Sequence, residues 1–429
     1  MKKRILSLLL ALVLLTAVLP LGVSAGAADG QWVSAWSTSP VRAGLSEMGA
    51  LNRFGVTLTA VSSRVAVEPA VSGAKVRLVF SNEYGICPLT ISACTVAASC
   101  RDTRSVDTKS LKDVSFSGKR SVTIPAGRTV TSDPVAFPVT VGNKITVTTF
   151  FRGINTQRTV GLIGGDTYAA VGDHTRSRTM LLGLPLRATA DSGAYEVIPA
   201  LKGIEVLASG EKCSCVIFGD STVANEIPRL LEKRLQDNGI TNISVIQQAI
   251  KGNRLVADGI GVAAGVLGEA GVERFERDVL SQAGVKYVIV KLGVNDLVHP
   301  YCKSKASRLS PVTFEEMTAG YTALAAMAHE KGVKIFFAEL SPWKGYTRNL
   351  LGLGDDVHWT KEIDALRLRL NEWMASGDCP ADAFLSFPEL ASPGDPYALK
   401  GAYTTDGAHL TSAGQKALVN AIDLDIFTY

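Results

Sequence analysis

Apolar and polar positions follow two rhythms along the chain. From about Gln31 to Leu201 the runs are short, alternating and rich in Val, Thr, Ser and Gly, as in Lys75 to Phe80, Ser121 to Ile124 and Lys144 to Phe151. Turn residues such as Asn82-Glu83-Tyr84-Gly85, Pro125-Ala126-Gly127 and Gly142-Asn143 separate them. No long amphipathic helical pattern interrupts this half. The pattern predicts an all-β domain over residues 31–201, an antiparallel sandwich or jelly roll. From Cys213 onward the period changes. Runs that are apolar throughout, at Cys213 to Phe218, Ile243 to Gln247, Val285 to Leu292, Val333 to Glu339 and Ala383 to Phe387, predict buried strands. Helical spacing lies between and after them: Ile227 to Gln236, Glu273 to Ala283, Phe314 to Lys331, Lys361 to Ser376 and Ser412 to Ile422. Thr313 is placed to cap the third of these helices and Gly332 to stop it. Apolar strands alternating with helices predict a parallel sheet covered on both faces, a three-layer α/β domain over residues 213–429. Ala200 to Lys212 is the predicted linker.

Composition changes the picture at the N-terminus. Met1-Lys2-Lys3-Arg4 precedes an apolar run from Ile5 to Leu19, and Val23-Ser24-Ala25 offers a small-x-small cleavage site. These three parts predict a signal peptide over residues 1–25 and a secreted, extracellular product. The run is shorter than the ~20 residues that span a bilayer, and no second long apolar run follows, so no stable membrane insertion is expected after cleavage. The formal charge of +4 falls to about +1 without the leader. No Lys/Arg cluster interleaved with aromatics stands out, which argues against nucleic acid as a partner. The seven cysteines include no CxxC pair, so a zinc site is not expected. Cys213 and Cys215 fall on one face of a predicted strand and read as small buried hydrophobes. Export permits disulfides without fixing a pairing.

Sites in open parallel sheets form at the carboxyl ends of strands. Four polar blocks sit there: Gly219-Asp220-Ser221-Thr222, Gly252-Asn253, Gly293-Val294-Asn295-Asp296 and Asp406-Gly407-Ala408-His409. A serine hydroxyl needs an adjacent base to attack a carbonyl. Histidine suits that task, and a carboxylate on its other nitrogen fixes the tautomer. Acyl transfer also needs donors aimed at the developing oxyanion. The Ser221 and Gly252 amides and the Asn295 side chain can supply them.

In order and placement these blocks resemble the signature blocks of the GDSL/SGNH hydrolases. Phe275-Glu276-Arg277-Asp278-Val279-Leu280, Trp32-Val33-Ser34-Ala35-Trp36 and Arg77-Leu78-Val79-Phe80-Ser81-Asn82-Glu83-Tyr84-Gly85 resemble extracellular bacterial members. The resemblance implies a flavodoxin-like three-layer fold. It implies Ser221 as nucleophile, His409 as base and Asp406 as its orienter, with Ser221, Gly252 and Asn295 forming the oxyanion hole. It also implies hydrolysis of short acyl esters, acetyl groups on carbohydrates foremost, with no metal or organic cofactor. After the serine this chain has Thr222-Val223-Ala224-Asn225-Glu226 where many relatives have an acidic-glycine turn, which bears on the pocket rim. The alternatives are an acylhydrolase of lipid esters, or a non-catalytic surface protein whose β half binds glycan. Asp355-Asp356-Val357-His358 is a second Asp-x-x-His, but it comes too early for the fourth block. His299 reads as a loop residue near the cleft, His329 as a surface residue of a helix, and His174 as a β-domain residue without a partner.

Overall fold

The computed structural model describes residues 30–43, 58–155, 157–190, 193–224, 226–260, 264–302, 309–346 and 357–427. The leader, Asn225, Asp355 and Asp356 lie outside them.

The N-terminal half is a sandwich of two antiparallel sheets. One has four strands in the order Gln31–Ser37, Leu201–Ala208, Lys75–Ser81, Thr129–Thr131; the other has six, with Leu58–Val67 and Ile145–Asn155 at its centre. Alternation does the work expected of it: Val76, Leu78 and Phe80 face inward from one sheet, Val65, Val67, Val147 and Phe151 from the other, and they share one core. The predicted linker is mostly a strand. Leu201–Ala208 pairs with both Gln31–Ser37 and Lys75–Ser81 in the middle of the four-stranded sheet. Its charged residues disguised it: Lys202 and Glu205 are both buried, Lys202 donating to the Arg277 carbonyl at 2.9 Å and Glu205 pairing with Arg77.

The C-terminal half is a five-stranded parallel sheet. Its order in space is Ile243–Ala249, Cys213–Gly219, Val285–Lys291, Lys334–Ala338, Ala383–Leu385, with parallel register throughout. By position in this sequence that order is 2-1-3-4-5, the flavodoxin-like winding, whose switch point lies between the first and third strands. Helices Glu226–Asp237 and Ser412–Ala421 carry residues into one apolar layer, and Phe314–Glu330 and Lys361–Ala375 into another. Thr313 closes a capping box with Glu316, as the sequence predicts. The predicted helix around Glu273 to Ala283 is instead one α-turn, Gly271–Phe275, running into a π-helix, Glu276–Leu280. Cys213 and Cys215 are buried, and no disulfide joins the described residues. Among the described residues no helix is long and apolar enough to cross a membrane.

The two halves dock through hydroxyl groups placed within otherwise apolar strands. Ser244 donates to the Ser34 carbonyl at 2.7 Å, and the Ser34 amide and the Ser214 hydroxyl both donate to the Ala283 carbonyl at 2.9 Å. Near this junction a cavity of about 470 Å³ is bordered by Trp36, Glu68, Arg229, Glu232, Gln236 and Gln247. Glu232 is only 8% exposed. Burial, helped by the negative charge of Glu68, pushes its carboxyl from 4.5 up to about 8 against the pull of Gln236 and Arg229. The folded chain therefore keeps a proton that the unfolded chain releases, so stability from this group is full below about 4.5 and falls as pH rises towards about 8. Glu232→Gln is expected to raise Tm at pH 8 and change it little at pH 4.5 in paired thermal melts. Equal shifts at both pH values would count against this assignment.

Candidate active site

The switch point brings three of the four sequence blocks to one place, and the turn before the last helix delivers the fourth. The first strand ends at Gly219, where an added Cβ would lie 2.4 Å from the Lys291 carbonyl oxygen, so only glycine lets the chain turn there beside the third strand. Asp220 follows, wholly buried, and accepts from the Thr222 amide at 2.8 Å. Burial raises its carboxyl, opposed by that amide and by the charges of Lys291 and His409. This local loop leaves Ser221 half-buried at the strand end.

The Ser221 hydroxyl stands 2.9 Å from His409 Nε2, and His409 Nδ1 stands 2.7 Å from Asp406 Oδ2. The turn is built to hold this pair. Asp406 Oδ1 accepts from the Ala408 and His409 amides at 3.0 and 2.8 Å, while Thr404 Oγ1 accepts from the Gly407 amide at 2.9 Å. Gly407 has φ +90°, and a Cβ there would fall 2.6 Å from Gly345. Burial tends to raise the Asp406 carboxyl. The hydrogen bond and charge of His409, with the two amides, outweigh it and hold Asp406 well below the ordinary carboxylate range. Thr411 then caps the closing helix. The Tyr346 ring stands edge-on to the imidazole, centroids 5.7 Å apart.

Asn295 lines the same cleft, and its Nδ2 donates to the Asn253 carbonyl at 3.0 Å and to Asp220 Oδ2 at 3.2 Å. Gly293, with φ +130°, opens the short helix Val294–Val298 that carries Asn295. Asp296 turns away from the cleft and accepts from the Leu255 and Val256 amides, fixing the loop after Asn253. Burial nevertheless raises its carboxyl to about 7. Gly252 is buried with φ +77°, and Asn253, the next residue, reaches the site through its carbonyl. The Ser221 and Gly252 amides have no protein acceptor among the described residues.

Arg274 holds these loops from beneath and is fully buried. Nε donates to Asn253 Oδ1 at 2.9 Å, Nη2 to the Gly219 carbonyl at 3.1 Å, and Nη1 to the Gln248 carbonyl at 2.9 Å. Nη1 also reaches Asp278 at 3.1 Å and Ser39 of the β domain at 3.2 Å.

Several polar residues fall elsewhere. His358 is exposed, outside the cleft, and its amide donates to the Tyr301 carbonyl. His299 is fully buried and does not line the cleft, contrary to a loop position, because the chain turns there in a short 3₁₀ segment. His329 is a half-exposed helix residue, as expected, 3.0 Å from Asp382. His174 does have partners: its ring nitrogens lie 3.2 Å from Ser177 Oγ and 2.9 Å from the Val171 carbonyl. Sequence reasoning missed Ser341, Pro342, Trp343 and Tyr346, which also line the cleft. The signal was available, since Leu340-Ser341-Pro342-Trp343 follows the fourth strand at its carboxyl end.

No curated protein matches the chain. Among solved structures it is similar to a GDSL-like lipase from Bacteroides thetaiotaomicron VPI-5482, at 18% identity and TM-score 0.35 over 50% of this chain and 88% of that one. An acetyl xylan esterase is similar at 18% identity and TM-score 0.33, over 48% of this chain and 96% of that one. A psychrotrophic esterase from Pseudoalteromonas sp. is similar at 16% identity and TM-score 0.33, over 48% and 93%. Residues 217–417 match the model of the GDSL-like Lipase/Acylhydrolase family. The parallel-sheet half of this chain is thus a domain of the GDSL-like lipase/acylhydrolase family, a family of ester hydrolases, preceded by a β domain.

Proposed function

We propose that the protein is an exported serine esterase that removes short acyl groups, acetyl foremost, from carbohydrate alcohols. The observation that carries the reading is the continuous hydrogen-bonded line from the Ser221 hydroxyl through His409 to Asp406. Ser221 attacks the ester carbonyl while His409 Nε2 takes its proton. Asp406, held ionised by its amides and by His409, keeps Nδ1 protonated and stabilises the imidazolium. The tetrahedral oxyanion rests on the Ser221 and Gly252 amides and on Asn295 Nδ2, which turns one of its two hydrogens from Asp220 or the Asn253 carbonyl towards it. His409 then protonates the leaving alcohol, and water repeats the cycle on the acyl-enzyme.

The short-acyl preference is supported by the walls of the cleft, where Trp343 and Tyr346, both buried, stand close behind the catalytic pair. Export rests on the leader, Met1 to Ala25. A phosphonofluoridate that labels wild type and spares Ser221→Ala would support the assignment; equal labelling of both would refute it. Comparing acetylated xylan with long-chain lipid esters separates the carbohydrate reading from its lipid alternative. Asn295→Ala is expected to lower kcat roughly 100- to 1,000-fold with a much smaller change in KM, as loss of an oxyanion donor does. Steady-state kinetics on a short acetate ester measures it, and a change in KM alone would remove Asn295 from the oxyanion hole.

A further inference from the structure

We propose that Ser341 is a specificity-determining donor in the cleft, and that with Lys291 behind it the hydroxyl binds a second oxygen atom of the substrate, one other than the ester carbonyl. The inference rests on the serine-esterase reading of the same site.

Lys291 ends the third strand of the parallel sheet and is only 2% exposed. Its Nζ donates to Ser341 Oγ at 2.8 Å and to the Glu339 carbonyl, both just beyond the fourth strand. Burial lowers this amine to about 8 against the pull of Asp220 and Glu339, so it is an ammonium at neutral pH. Burying an ammonium is costly, and tying two adjacent strand ends together does not require a charge. The proposed reaction makes no use of this cation.

The consequence lies in the hydroxyl it touches. A serine hydroxyl has one hydrogen and two lone pairs, and an ammonium has no lone pair to give. Lys291 therefore donates, and the hydrogen of Ser341 is left for another acceptor. No described protein group takes it, although the residue is 7% exposed and lines the cleft with Ser221 and His409. A donor polarised by an adjacent cation is a strong one. Apolar Val294, Val298 and Pro342 share the cleft wall with Thr222, Asn295 and His409, and none of these accepts from the Ser341 hydroxyl, so its hydrogen is available to the substrate. The ester carbonyl is already served by the Ser221, Gly252 and Asn295 donors. That leaves an ether or hydroxyl oxygen beside the ester. It can belong to the alcohol, as in a sugar, or to the acyl chain.

Two pairs of esters of matched shape distinguish these sources. Butyl acetate and 2-methoxyethyl acetate differ by one oxygen on the alcohol side, and ethyl butanoate and ethyl methoxyacetate by one on the acyl side. Wild type is expected to favour the ether member of one pair. Ser341→Ala is expected to lower kcat/KM for that ether ester by about tenfold and to leave its hydrocarbon twin within about twofold. Lys291→Met should show the same selectivity. Ser341→Cys, which keeps the size but donates weakly, is the control should Lys291→Met fail to fold. Equal losses on all four esters, or no loss on either ether, overturns the proposal while leaving the esterase reading intact. Failure of wild type to hydrolyse any of the four, with Ser221 unlabelled by phosphonofluoridate, would instead sink the esterase reading and this inference with it.

Discussion

Ser221→Ala is expected to lower kcat for ester hydrolysis on the order of a million-fold, the scale on which removing a triad serine acts. In the proposed reaction the group removed is the one that forms the acyl-enzyme. Ser341, another hydroxyl lining the cleft, is held by Lys291 rather than by His409. Nucleophile and base act as a unit, so His409→Ala should cost about as much, and the double variant little more than either. Stability should barely move, because Ser221 is half-buried on a loop and its side chain bonds only to His409. Turnover of a chromogenic acetate ester, with Tm as the control for folding, gives the answer. Residual activity above about one per cent, from a preparation free of other esterases, would rule Ser221 out as the nucleophile.

Arg274→Ala is expected to destabilise the fold by about 3–5 kcal/mol, the range for breaking a buried ion pair by removing one partner. Burial pulls the guanidinium down to about 10, so it is charged at neutral pH. Truncation removes the Arg274 bond from Asn253 Oδ1, the Gln248 carbonyl and the Gly219 carbonyl, the last of which keeps the Ile250 amide at 3.1 Å. Asp278 keeps Arg277, whose Nε lies 2.9 Å away, so its charge does not go wholly unpaired. The site should suffer as well. Gly219 leads into Ser221, and the Asn253 carbonyl fixes Asn295. Arg274→Lys keeps a charge but not the planar fork, and should recover only part of the loss. Urea unfolding measures the first effect, and kcat at a temperature where the variant remains folded measures the second. A loss under about 1 kcal/mol would show that solvent or neighbouring donors satisfy those carbonyls.

Much of the architecture is legible in local sequence because its causes are local. Alternation in the first half and unbroken apolar runs in the second follow from how many faces of each strand are covered. Caps such as Thr313 and Thr411 act within three residues of themselves. The four polar blocks could be found because a parallel sheet puts functional residues at strand ends, a position readable once the strands are known.

What escaped the sequence has distant partners. Leu201–Ala208 read as a linker because Lys202 and Glu205 broke its pattern, and their burial depends on Arg277 and Arg77. The helix expected through Ala283 became a π-helix, a change its spacing did not announce. Arg274 lies in a stretch that reads as helical, and nothing local marks the five groups that the fold closes around it. The place of Ser341 after the fourth strand was readable, but its contact with Lys291 was not. By itself, then, the sequence determined the elements, their layering and which polar residues stand at strand ends. Only the tertiary structure decided which charges are buried, which hydroxyls point into the cleft and what each one touches. The physical reason is range: hydrophobic period and helix caps act over a few residues, whereas the partner of a buried charge is set by whatever the closed fold brings within hydrogen-bond reach.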